Sequence, residues 1–256
     1  MYDSSPDANK MEKWYPYRNF HIICFCQTLH KNLKKAGFCS HSIQYFPEVL
    51  DDCSSGNEQS VFFWNRSEKI SSRLLGILFS NSHISHLHIH KALDPKKKFI
   101  PPDDSIADSI SYSSWYPEKS DMLAEMEKYA IYIAPRIKEG IGMSFLEAMA
   151  MGRCVIAPDS PTMNEYITHE VNGLLYSLQD PQPINLSQVT QTQQNARLFI
   201  KKGRMKWETQ KSNILTWISS TVKIEKKSML PRVMIRLFTR PIKMMKMLVL
   251  DRQHLD

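Results

Sequence analysis

The sequence predicts an α/β protein whose main body is a Rossmann-like, doubly wound parallel sheet. Three observations carry this expectation. From Val61 to Tyr176, short apolar runs alternate with helix-forming segments, the order required by parallel strands joined through crossover helices. Within that span, Ile131-Tyr-Ile-Ala134 is an apolar run ending at Pro135, and Ser144-Phe-Leu-Glu-Ala-Met-Ala-Met151 is a strong helix former closed by Gly152. Between them lies the loop Lys138-Glu-Gly-Ile-Gly-Met143, where Gly140 and Gly142 allow a tight turn and close approach to a ligand. The helix that follows offers unpaired N–H groups and a partial positive charge, an anion site at the carboxyl end of a strand.

Taken in order, Met1 to Arg18 is an irregular lead-in containing the cluster Trp14-Tyr-Pro-Tyr17. His21 to Cys26 has the pattern of a buried strand, Thr28 to Ala36 is a helix stopped by Gly37, and His41 to Phe46 is a second strand running into Pro47. Cys24 and Cys26 alternate and so share a strand face as small buried apolar residues. The polar stretch Asp51 to Glu58 reads as a linker. The expected division is residues 1–50 as an amino-terminal unit, 51–60 as linker, 61–205 as the ligand-binding domain, and 206–256 as a closing helix with a basic tail. Val61-Phe-Phe-Trp64 is the next strand, ending at Asn65-Arg66. Ser71 to Phe79 is a helix, and His83 to His90 a strand whose His86, His88 and His90 point to one face. Three imidazoles so placed could hold zinc, but without a nearby carboxylate or cysteine a partly exposed edge face is the preferred reading. Leu93 to Asp108, with Pro95 and Pro101-Pro102, is a loop; Ser109 to Tyr112 is a strand and Pro117 to Lys128 a helix. Cys154 to Ala157 is a further strand, followed by an acidic short helix within Asp159–Thr168. Ser187 to Lys202 and Trp207 to Ile218 read as two closing helices.

Glu139 and Glu147 bracket the glycine loop with seven residues between them. Carboxylates do not bind phosphate, so a ligand held here carries hydroxyls as well, as a nucleotide sugar does. Ser144 and Glu147 also have the spacing of a capping box, which would tie both to the helix start. The glutamate pair resembles the E-x7-E motif of retaining GT-B glycosyltransferases of the family 4 type (glycosyl transferases group 1). The flanking Glu139-Gly-Ile-Gly, Leu146-Glu-Ala-Met-Ala-Met-Gly152, Val155-Ile-Ala157, Asn164-Glu-Tyr-Ile167 and Asn172-Gly-Leu-Leu175 follow that family's order and spacing. The resemblance implies a donor-binding domain in which Glu147 binds ribose hydroxyls and the amides from Gly140, Ile141, Gly142, Met143 and Ser144 hold a diphosphate. It further implies that Glu139 contacts the donor sugar, that Arg66 and Lys69 face the diphosphate, and that transfer to a glycan or lipid-linked acceptor proceeds with retention and without a metal or other cofactor. Glu165 falls near this neighbourhood in the family pattern, although Asn164 stands where the family has proline, and a surface acid is the equal alternative. Residues 1–50 would be the remnant of the acceptor-side domain, ending at Tyr45-Phe-Pro47. Most of that domain is missing, which leaves a partner supplying it as one expectation.

Composition narrows the other classes. At 42% hydrophobic and 23% charged residues the chain is ordinary for a globular protein. No G-x-G-x-x-G or P-loop lysine motif supports a different nucleotide fold. The net charge of +7 is uneven, since nine of the 33 Lys and Arg lie between Lys223 and Arg252. That distribution argues against a generic nucleic-acid-binding domain and points to a tail: residues 231–250 read as a basic amphipathic helix for an anionic membrane surface, or a solvated or partner-bound tail, kinked at Pro241. Five irregularly spaced cysteines predict reduced thiols. With no secretory leader and no apolar run long enough to span a bilayer, the expectation is a cytoplasmic protein, peripheral at the inner face of the membrane.

Overall fold

The computed structural model describes residues 10–49, 53–66 and 69–220. The basic tail at 231–250 lies outside the described residues. A six-stranded sheet forms the centre, from β3 (Asn57–Asn65), β4 (His86–Lys91), β5 (Ser109–Ser113), β6 (Tyr129–Ile133), β7 (Cys154–Pro158) and β8 (Leu174–Tyr176). Their order is β5-β4-β3-β6-β7-β8, and every neighbouring pair is parallel. The outward growth in both directions from β3 and β6 is the doubly wound arrangement expected from the alternating pattern. All five residues of β6 and of β7 are buried, because a parallel sheet covered by helices needs apolar side chains on both faces.

One apolar layer joins Phe62, Tyr132 and Val155 to Phe145, Leu146 and Met149 of α4 (Met143–Ala150) and to Ala196 and Ile200 of α5 (Val189–Ile218). The other joins Phe63, Ile131, Ile133 and Ile156 to Leu75 and Leu78 of α2 (Ser72–Leu78). The helix α3 (Lys119–Met126) leads into β6 and is covered by Met126.

The starts of the central strands are tied by one side chain. Arg153 is wholly buried and donates to the carbonyls of Met151, Glu127 and Tyr129 at 2.7–3.1 Å, and also to the carbonyl of Ser54. Gly56, at φ +70°, leaves the space: a Cβ there would lie 2.7 Å from the guanidinium and 2.5 Å from the Tyr129 carbonyl carbon. This turn also explains why β3 begins at Asn57, four positions ahead of the expected Val61.

The amino-terminal residues form a parallel β-α-β unit of β1 (Ile22–Cys24), α1 (Gln27–Lys35) and β2 (Ser40–Ser42). β2 is shorter than the His41–Phe46 run suggests, since Gln44 to Phe46 turn away to meet the main body. Cys24 and Cys26 sit in this unit's core beside Trp14, Leu29 and Leu33, and burial pushes the Cys24 thiol up to about 12. The unit is fastened by Glu165, which lies on a 3-10 turn (Met163–Glu165) of the main body. Its carboxylate accepts from the backbone N–H of Gln27 (2.6 Å) and Thr28 (2.9 Å) and from the Thr28 hydroxyl (2.8 Å). Helix α1 has no side-chain cap of its own at Cys26, so a carboxylate 138 positions away satisfies its first amides.

Two expectations are corrected. The two closing helices are one continuous 30-residue helix, α5. Gly203 does not break it; it lies against Phe46, whose ring atoms would be 2.2 Å from an added Cβ, so the glycine lets helix and amino-terminal unit meet. The histidine row is not a partly exposed edge, because β5 covers β4 and leaves His88 and His90 only 4% and 2% exposed.

Replacing Glu165 by alanine removes the cap of α1 and one fastening of the amino-terminal unit. The expected result is a loss of about 1–2 kcal/mol in unfolding free energy, measured by denaturant titration, with Glu165→Gln retaining part of it.

Candidate active site

At the carboxyl ends of β3, β4 and β6 the structure opens into a cleft of about 640 Å³. The glycine loop from Glu139 to Gly142 and the first turn of α4 form one wall. Trp115, Tyr116 and Lys119, from the β5–α3 connection and the start of α3, form another. Arg66, Glu139, Gly140, Ile141, Gly142, Met143, Ser144 and Glu147 all line it. Lys69 does not: it is exposed and outside the cleft lining.

Gly142 starts α4 with a left-handed backbone (φ +77°) that seats the loop on Phe145; a Cβ would meet that ring at 1.9 Å. Because Gly142 holds the cap position, Ser144 and Glu147 do not form a capping box, and no side chain caps this helix. Glu147 is therefore available to the cleft. Its carboxylate, 14% exposed, accepts from Lys119 Nζ at 2.5 Å. The Thr162 hydroxyl donates to the Glu139 backbone carbonyl at 2.6 Å, which fixes the loop from behind.

The cationic side of the cleft has more members than the sequence suggested. Arg66 donates to Asp94 through Nε and Nη2 at 3.2 and 2.8 Å, and Arg136 reaches the same carboxylate at 3.1 and 3.3 Å. One carboxylate thus holds two guanidiniums together. Arg66 also lies over the Trp64 ring, 5.0 Å from its centroid. Arg136, Asp94, Lys119, Trp64, His90 and Tyr116 were missed. Arg136, like Arg66, stands just beyond the end of an apolar strand, and Asp94 was hidden in a loop with no periodicity.

The floor is aromatic. Tyr132 is buried beneath the loop, and its hydroxyl makes no hydrogen bond of standard geometry; burial raises its pKa. His90 stacks on Tyr116 at 4.9 Å and meets Trp64 edge-on at 5.5 Å. Burial, with His88 and Arg66 nearby, lowers the pKa of His90 to about 4. Among the described residues no group of three or more His, Cys, Asp and Glu is placed to hold a metal ion, and the three β4 imidazoles are engaged by serines.

Acid should weaken this arrangement. The unfolded chain protonates its imidazoles near the ordinary value of about 6.5. His90 resists until about 4, so its contribution is full above the unfolded value and falls as pH drops between the two. The melting temperature is expected to decline over that window, and the His90→Gln variant to decline less steeply than the parent.

Residues 96–187, which include the glycine loop and both glutamates, match the family model described as glycosyl transferases group 1. A comparison with curated proteins gives no match. Among solved structures, TarM of S. aureus aligns at a TM-score of 0.55 and 15% identity, over 82% of this chain and 46% of that one. Sucrose-phosphate synthase from Thermosynechococcus elongatus aligns at 0.60 and 11%, covering 84% and 64%. Anabaena HepE, solved with UDP and glucose, aligns at 0.58 and 12%, covering 82% and 68%. At such identities the likeness is one of fold, and the chain spans only 46% and 64% of the first two proteins. Residues 96–187 thus resemble the glycosyl transferases group 1, and the chain has the fold of the GT-B glycosyltransferases.

Proposed function

We propose that the cleft binds a nucleotide-diphosphate sugar and that the chain takes part in transferring the sugar to a glycan or lipid-linked acceptor, with retention of configuration. The observation that carries this reading is the convergence of Arg66, Arg136 and the amide-lined glycine loop with two carboxylates on one cleft. Anions suit the cations and the start of α4; hydroxyls suit Glu139 and Glu147. In this reading Glu147 exchanges Lys119 for the ribose hydroxyls, Glu139 contacts the sugar, and the diphosphate spans the loop amides and the arginine pair. Charge developing on the departing diphosphate is met by positive groups already in place, the electrostatic contribution that dominates many such reactions. No cofactor is needed beyond the donor. HepE, with UDP and glucose in its structure, supports a uridine donor.

Cell-surface polysaccharide synthesis at the inner face of a membrane is the setting that fits, with the tail at 231–250 as the membrane contact. A second reading is a binding module, which holds the nucleotide in the same cleft without turnover or as the donor-binding subunit of an assembly.

Thermal shift with UDP, GDP and their sugar conjugates tests the donor site. At about one hundred times its dissociation constant the correct nucleotide stabilises by roughly 2.7 kcal/mol. The gain should vanish in Glu147→Ala and Arg66→Ala, and survive in Lys69→Ala, whose side chain is outside the cleft. No gain with any nucleotide would refute the reading.

A further inference from the structure

In the parallel register of β4 and β5, His86, His88 and His90 lie opposite Ser109, Ser111 and Ser113. The two rows form one unbroken hydrogen-bonded chain. His86 Nδ1 meets Ser109 Oγ at 2.7 Å and its Nε2 meets Ser111 Oγ at 2.8 Å. His88 Nδ1 meets Ser111 Oγ and its Nε2 meets Ser113 Oγ, both at 2.8 Å. His90 Nδ1 closes the row on Ser113 Oγ at 2.9 Å.

A serine hydroxyl has one proton to donate, and a neutral imidazole carries one N–H. A serine between two histidines can donate to only one of them, so where one ring presents a bare nitrogen the serine gives it the proton and turns its lone pairs to the next ring, and a polarity set at one end propagates. The outer end is set by the backbone: Ser109 Oγ donates to the carbonyl of Ser85 at 3.1 Å, turning its lone pairs toward His86. His86 then carries its proton on Nδ1, and its bare Nε2 takes the proton of Ser111. The same step repeats through His88 and Ser113 and leaves His90 protonated on Nδ1. Glu125, with a carboxylate oxygen 3.9 Å from His88 Nδ1, favours the proton on that nitrogen too. His90 lines the cleft, its Nε2 makes no hydrogen bond among the described residues, and burial keeps the ring neutral at pH 7.

We propose that the serine–histidine ladder locks His90 in the Nδ1–H tautomer, so that Nε2 faces the cleft as a hydrogen-bond acceptor for an N–H or O–H group of the bound nucleotide. The ligand half of this inference rests on the nucleotide reading above; the tautomer half stands without it. It makes His90 a specificity-determining residue and the serines its positioning residues.

The test is the tautomeric state of the histidines in the full chain, read at neutral pH by long-range proton–nitrogen correlation after 15N labelling, with His90 assigned through His90→Gln. Expected are unprotonated Nε2 atoms on all three rings, a mixed tautomer for His90 in Ser113→Ala, and a shift of the His90 Nε2 signal on adding UDP or GDP, whichever binds. Ser113→Ala, which leaves every cleft-lining side chain in place, should weaken that nucleotide by about threefold to tenfold, in line with a partly lost hydrogen bond. A proton on His90 Nε2 in the parent chain overturns the ladder, and an Nε2 signal unmoved by a nucleotide that binds overturns the contact. If neither nucleotide binds, the ligand half falls with the nucleotide reading, while the tautomers still decide the ladder.

Discussion

The buried guanidinium of Arg153 is the constraint on which the sheet depends. A charge removed from water is costly unless its donors are satisfied, and Arg153 meets that cost with the carbonyls of Ser54, Glu127, Tyr129 and Met151. Those carbonyls belong to the approach to β3, the approach to and first residue of β6, and the turn before β7, three adjacent strands. Fixing where these strands begin fixes where they end, because a strand rises a constant ~3.3 Å per residue. The opposite ends carry Arg66, Arg136 and the glycine loop.

At those ends, separate segments are brought into one electrostatic unit. Asp94 comes from the loop after β4, Arg66 from the end of β3 and Arg136 from the end of β6. Two guanidiniums side by side would repel; the shared carboxylate removes that penalty while leaving donors directed elsewhere. The glycine loop contributes charge without any ionised group, through the aligned amides at the start of α4. The cleft therefore combines a cationic, amide-lined side with a pair of carboxylates beside packed aromatic rings.

Much of this was legible in the sequence because it is local. The alternation from Val61 to Tyr176 gave the parallel sheet, and Glu139 to Glu147 gave the loop and helix that form one wall. What was not legible depends on partners far along the chain. Glu165 was left between a place near the cleft and a surface acid, because the helix start it caps lies 138 positions away. The His86–His88–His90 row suggested an exposed edge because its meaning depends on Ser109, Ser111 and Ser113, which register alone places opposite. Gly203 lies between the two segments read as separate helices, and only the nearness of Phe46 shows why one continuous helix would carry glycine there. Ser144 and Glu147 had capping spacing, but the left-handed Gly142 had already taken the cap position.

The continuity of α5 has a mechanical consequence. Thirty residues make a rod of roughly 45 Å, seated on the sheet through Ala196 and Ile200 and on the amino-terminal unit through Gly203 and Trp207. A tilt of that unit cannot be absorbed by a loop at this point, as it would be between two separate helices. It must travel along the rod as torque, and the smooth backbone at Gly203, offering Phe46 no side chain to catch on, is its natural fulcrum.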